Sequence, residues 1–215
     1  MDTLKHMSGV IVVDLQGNFT VFKKGALAVP GTDEIFINKI RNASEVLKKE
    51  GYPIFATQDW HPAGHISFYT NHAGRKPFDV IEVENRKQAL WPSHCIQGTE
   101  NTRLLLDEIL FDAIVKKGKD RRHDSYSGFQ DDGGDKTELN SLLKNHGIMR
   151  THYLRDRHGF LRESNRLGRD QSRIPGSPYR RALSGSLLRN NREGVGRNEV
   201  QQNCAYCRFI RINSW

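Results

Sequence analysis

Within seven residues the chain carries one carboxylate and two imidazoles, Asp59, His61 and His65. They follow directly on the apolar run Pro53-Ile54-Phe55-Ala56. Imidazole with carboxylate is a donor set that Zn, Fe(II) and Mn(II) accept. On extended backbone, Asp59 and His61 at i, i+2 point to the same side. A further imidazole, His94, stands in Trp91-Pro92-Ser93-His94-Cys95. Asp14 follows the run Gly9-Val10-Ile11-Val12-Val13, and Lys117 lies in Lys116-Lys117-Gly118 after a third apolar run. An acid at the end of a buried strand costs free energy unless it has a partner or a task. An acid, a lysine and a metal site at one edge of a sheet suggest hydrolysis of a small polar substrate. Taken singly, each motif also fits surface histidines or a loop-capping Asp14.

The elements that must position these groups follow from pattern. The β-branched run 9–13 reads as a strand buried on both faces of a parallel sheet. Thr32 is a good N-cap, with Asp33 and Glu34 in the first turn. Ile37, Ile40, Ser44 and Leu47 mark a helical face that Gly51 closes. Pro53–Thr57 reads as the second strand, completing a right-handed βαβ unit. Residues 69–93 form a long excursion of the kind that is usually functional or disordered. Thr99 is expected to cap a helix running through Leu104, Leu105 and Ile109. Phe111–Val115 is the third strand. The leucine spacing of Asp135–His146 predicts a helix stopped by Gly147. Thr151–Arg157 is too charged to serve as a buried fourth strand.

Composition divides the chain. Its 215 residues carry a net charge of +8. Residues 1–149 hold 13 Lys, 6 Arg and 20 acids, whereas 150–215 hold no Lys, 14 Arg and 5 acids. The basic character therefore belongs to the last third, which lacks the interleaved aromatics of a nucleic-acid binder. No apolar run approaches 18 residues and the start has no signal-peptide pattern. Three scattered cysteines make no disulfide framework. These features predict a cytoplasmic protein without membrane or nucleic-acid partners.

Five motifs carry a family resemblance: VVDLQGNFT in the 10–20 region, ALAVPGTDEI, ATQDWHPAGHISF, ALWPSHCIQGT and VKKGKDRRHDSYSGF. Together they cover nearly all of residues 9–148. They resemble the nicotinamidases (pyrazinamidases) of the isochorismatase-like cysteine hydrolase superfamily. The histidine-bearing motifs mark that branch rather than the metal-free isochorismatases. The resemblance implies a three-layer α/β/α fold with a mostly parallel sheet, here incomplete after about residue 150. It implies an amidohydrolase acting on a linear amide, converting nicotinamide to nicotinate and ammonia through a cysteine thioester. By motif, Asp14 resembles the acid that takes the cysteine's proton, and Lys117 the lysine that holds the charge between them. Asp59, His61 and His94 match the ligands of one divalent metal ion, with Zn, Fe and Mn all open, and His65 matches a fourth ligand of some members. Phe19, Trp91 and Tyr126 match aromatic walls for the pyridine ring. Asn18 departs from the acid usual in its loop. Oligomeric state is open, with a homo-oligomer among the alternatives.

The nucleophile is missing. Cys95 belongs to the metal motif, and Cys204 and Cys207 come too late. The family's cysteine follows its fourth strand in a pattern like G-[IV]-A-T-D-[FY]-C-V. Read from the second base of permitted codons, residues 155–165 can give GIATDFCVKAT, which puts Leu161 where the cysteine belongs. The same shift turns 152–154 into an apolar fourth strand. This implies a frameshift near Met149-Arg150. The chain then divides into residues 1–149, a hydrolase domain, and 150–215, an out-of-frame tail expected to lack a native fold. As written it would be inactive, and a catalytically dead metal- or ligand-binding remnant is the alternative.

Overall fold

Val10, Ile11 and Val12 in β1 (Ser8–Val13) are fully buried. The computed structural model describes residues 7–155 and the backbone of 162–164. After β1 come α1 (Glu34–Lys49), β2 (Ile54–Asp59), the hairpin β3 (Val80–Val83) with β4 (Arg86–Ala89), and β5 (Ala113–Lys117). The last described elements are α2 (Leu139–Asn145), β6 (Arg150–Leu154) and β7 (Arg162–Ser164). The main sheet has the order β5-β2-β1-β6-β7. Its first four strands are parallel, and β7 is antiparallel to β6. This is the α/β class the sequence implies. Among the described residues, no helix is long and apolar enough to cross a membrane.

The sheet is buried on both faces. Ile11, Phe55 and Val115 pack with Leu139, Leu143 and Ile148 in one core, so α2 covers that face. By strand alternation Val10, Val12, Ile54 and Ala56 point to the other face, and all are fully buried. The α1 connection buries Ile37, Ile40, Ala43, Ser44 and Leu47 and leaves its charged stripe outside. Full burial of each Val, Ile, Leu or Phe among them contributes roughly 1.5–3 kcal/mol.

Three expectations are corrected. The cap of α1 is Asp33, whose side chain accepts from the Phe36 N–H at 2.9 Å. The Thr32 hydroxyl turns back instead, accepting from Val21 N and donating to Val29 O. No α-helix starts at Thr99. The segment makes single 3-10 turns at Glu100–Thr102 and Glu108–Leu110. Its Thr102 carbonyl is held by the side-chain amides of Gln16 and Gln58, at 2.7 and 2.8 Å, and so is drawn out of any helical ladder.

The third correction concerns residue 150 onward. Arg150–Leu154 forms a strand in register with β1, so the sheet does not stop at residue 150. Backbone pairing with β1 sets this strand, and only Thr151 and Leu154 are fully inside.

Candidate active site and metal centre

Three strand ends deliver the chemistry, at the carboxyl edge where open α/β sheets build sites. Asp59 closes β2 and Lys117 closes β5, and the two are register partners on adjacent strands. Lys117 is 4% exposed. Its Nζ donates to Asp59 Oδ1 at 2.5 Å and to Ser125 O at 2.9 Å, and lies 3.0 Å from Asp14 Oδ2. Lys116, its neighbour, faces outward with its ammonium over the Trp60 ring.

Asp14 lies just past β1 with φ +47°, a left-handed conformation that costs a non-glycine residue about 1–3 kcal/mol. The Thr57 hydroxyl donates to its Oδ1 at 2.7 Å. Burial raises the pKa of Asp14, and the Lys117 ammonium offsets this only in part. Burial pushes Asp59 the same way, but Lys117 and then His61 outweigh it and hold Asp59 below the usual carboxylate range. Burial also works against the Lys117 cation, but Asp14 and then Asp59 prevail and raise its pKa. The two acids are thus held differently: Asp59 as a firm carboxylate, Asp14 as a group that more readily takes a proton.

The second half of the site adjoins the first through Asp59. One donor atom each from Asp59, His61 and His94 lies within 4.8 Å of the others, and all three residues are buried. His61 Nδ1 meets Gly118 O at 2.9 Å, and His94 Nδ1 meets Pro92 O at 2.8 Å. A carbonyl only accepts, so each Nδ1 carries a proton and Nε2 is the ring nitrogen left to ligate. That is how proteins orient metal-binding imidazoles. Burial and then His61 depress His94 to about 4, which keeps it neutral and ready to ligate. The donor set fits a divalent cation of the Zn, Fe or Mn type.

Cys95 is a neighbour of this centre. It is fully buried, and burial followed by the Asp59 carboxylate push its thiol far up. Leu161, the expected position of the missing cysteine, lies outside the described residues.

No family profile matches the chain. It is 44% identical over 144 residues to the nicotinamidase of Acinetobacter baylyi, a match covering 65% of this chain and 63% of that protein. It is 32% identical over 154 residues to the nicotinamidase of Saccharomyces cerevisiae, covering 65% of this chain and 70% of the relative. The chain belongs to the nicotinamidase family. It spans less than two thirds of the Acinetobacter nicotinamidase. Two solved structures are also similar. The pyrazinamidase of Pyrococcus horikoshii in complex with zinc has TM-score 0.54 and 31% identity, covering 68% of this chain and 69% of that one. A protein from L. infantum in complex with nicotinate has TM-score 0.55 and 30% identity, covering 70% and 68%.

With the nicotinamidase family in view, the other residues of the motifs can be placed. Phe19 stands edge-on to His94 at 5.6 Å between centroids. Trp91 donates its indole N–H to the Tyr126 hydroxyl at 3.1 Å, so these two form one unit. His65 packs 4.4 Å from His61 but spends both ring nitrogens on the protein. Nδ1 meets the Ser67 hydroxyl at 2.7 Å and Nε2 meets His123 O at 3.1 Å.

Sequence reasoning missed several contributors. Gln16 is fully buried and bonds the backbone of Asp59. Asn18, noted only as a departure from its relatives, accepts from the Cys95 N–H at 2.9 Å and ties the 91–95 loop to the first loop. Gly118 supplies the carbonyl for His61 at φ +64°, where a Cβ would overlap the His61 ring. A glycine directly after the strand-ending lysine is the one signal that could have indicated such a close approach.

Proposed function

We propose that this site serves the hydrolysis of nicotinamide to nicotinate and ammonia. One observation carries the reading. Lys117 touches both Asp14 and Asp59, so an acid–lysine pair and a metal-ligand set share one buried edge. An amide needs a strong nucleophile, and a thiol becomes one when a base takes its proton. Asp14, raised by burial, takes that proton, and Lys117 holds the resulting charge. Thiolate attack on the carboxamide carbon gives a tetrahedral oxyanion. The C–N bond breaks, ammonia leaves with the proton from Asp14, and water hydrolyses the thioester to nicotinate.

Asp59, His61 and His94 would hold the divalent ion. Bound there, the ion serves to position the pyridine nitrogen. The zinc in the Pyrococcus pyrazinamidase favours zinc among the three candidates. Phe19, Trp91 and Tyr126 would confine the ring, a role in keeping with the nicotinate held by the L. infantum relative.

The nucleophile itself is encoded out of frame near Met149-Arg150, with Leu161 in its place. The chain as written therefore holds the ring and does not cut the amide. Ammonia release should be measured for the 215-residue chain and for a chain re-encoded in the shifted frame from codon 150. The first is expected to show none and the second to turn over. Turnover by the chain as written would overturn the frame reading. A re-encoded chain that neither turns over nor binds nicotinate would overturn the nicotinamide reading.

A further inference from the structure

Asp124 is a buried acid that the mechanism above leaves without a task. It is 5% exposed. Its carboxylate accepts from Ser125 N at 2.9 Å and from Gln88 Nε2 at 3.3 Å. Both donors are neutral. Among the described residues, no lysine, arginine or histidine forms an ion pair with it. Such a charge is expensive unless a cation lies within reach.

The chain on either side of Asp124 shows where that cation belongs. The carbonyl of His123 accepts from His65, which packs on His61. The carbonyl of Ser125 accepts from Lys117. Asp124 is thus fixed between the histidine cluster and the lysine. Resting on the metal reading above, we propose that Asp124 is a positioning residue for the divalent cation, its buried carboxylate completing the charge balance of the loaded site.

The balance is simple. A divalent cation and Lys117 bring three positive charges to the buried edge. Asp14 and Asp59 bring two negative charges, and Asp124 brings the third. Without it the loaded cluster holds an uncompensated charge in a low-dielectric surrounding, where such charges are costly.

The test is zinc affinity of the full 215-residue chain, read by competition with a chromophoric chelator. Asp124→Asn keeps the shape and an acceptor oxygen but loses the charge. It is expected to weaken zinc binding about 10–100-fold, the scale of outer-shell effects. Gln88→Met removes a hydrogen bond to the same carboxylate and keeps the charge, so it should stay within about threefold of wild type on the same scale. A purely structural role for Asp124 predicts the opposite ranking or equal losses. Asp124→Asn within threefold of wild type overturns the proposal. Should that variant not fold, the pair Asp124→Asn with Gln88→Glu moves the charge by one hydrogen bond and is expected to bind zinc near the wild-type level. A tenfold or greater loss there overturns the proposal. A wild-type chain that binds no zinc at all removes the metal reading itself, which separates the two failures.

Discussion

Gln16 holds the backbone of Asp59 at both of its polar groups. Its Nε2 donates to Asp59 O at 2.8 Å, and its Oε1 accepts from Asp59 N at 2.8 Å. The same Nε2 reaches Thr102 O at 2.7 Å. A side chain fully buried in β1's following turn therefore completes the edge of β2 where the strand ends, and so aims the Asp59 carboxylate. Gln16→Ala takes the partner from both Asp59 backbone groups, while Thr102 O keeps the Gln58 amide. At about 1 kcal/mol or more each, the loss is about 2–4 kcal/mol by urea unfolding. Zinc affinity should fall roughly tenfold in the same variant. Unchanged affinity with lowered stability would restrict Gln16 to a folding role.

Lys117→Met removes the one cation shared by Asp14 and Asp59. Breaking a buried pair by losing one partner costs about 3–5 kcal/mol. A divalent ion can satisfy Asp59 in its stead. The loss should therefore be smaller when urea unfolding is repeated with saturating zinc. Equal losses with and without zinc would show that the ion does not reach Asp59.

His94 and His65 should separate cleanly. Zinc at a thousandfold excess over its dissociation constant stabilises a folded chain by about 4 kcal/mol. His94→Ala should abolish the corresponding rise in melting temperature. His65→Ala should lower the melting temperature of the zinc-free chain yet retain most of the zinc-dependent rise, because both nitrogens of His65 are already taken. Loss of the rise in His65→Ala would make it a ligand.

Gly118 and Gly134 offer a matched comparison. Both have positive φ, +64° and +95°, and both pay conformational strain on conversion to alanine. A Cβ at Gly134 meets nothing within 4 Å, whereas one at Gly118 runs into the His61 ring. Gly134→Ala should cost about 1 kcal/mol and leave zinc binding alone. Gly118→Ala should also weaken zinc binding by at least tenfold on the outer-shell scale. Equal zinc affinity in the two variants would show that the His61–Gly118 contact does not set the imidazole.

Local pattern was enough for β1, β2 and β5, whose β-branched runs need no distant information. It was enough for α1, although not for its cap, because Thr32 and Asp33 are both good caps and only the 19–32 loop decides between them. The placing of Asp14, Asp59, His61 and Lys117 at the carboxyl edge was legible because each ends or follows a strand within a recognisable motif. What stayed hidden depends on partners far along the chain. The expected helix after Thr99 is undone by Gln16 acting across 86 positions. Asn18 finds Cys95 across 77. The strand Arg150–Leu154 exists because β1 offers it an edge, which its own charged sequence does not announce.

The last of the residues discussed for the metal and lysine half, Asp124, Ser125 and Tyr126, precede residue 130. A ribosome has therefore completed every ligand, the lysine and their clamps before it meets codon 150. On the metal reading proposed above, every protein ligand precedes that codon, and assays of metal content address those ligands. Such assays report on the part of the gene translated first. Only release of ammonia interrogates what is translated last.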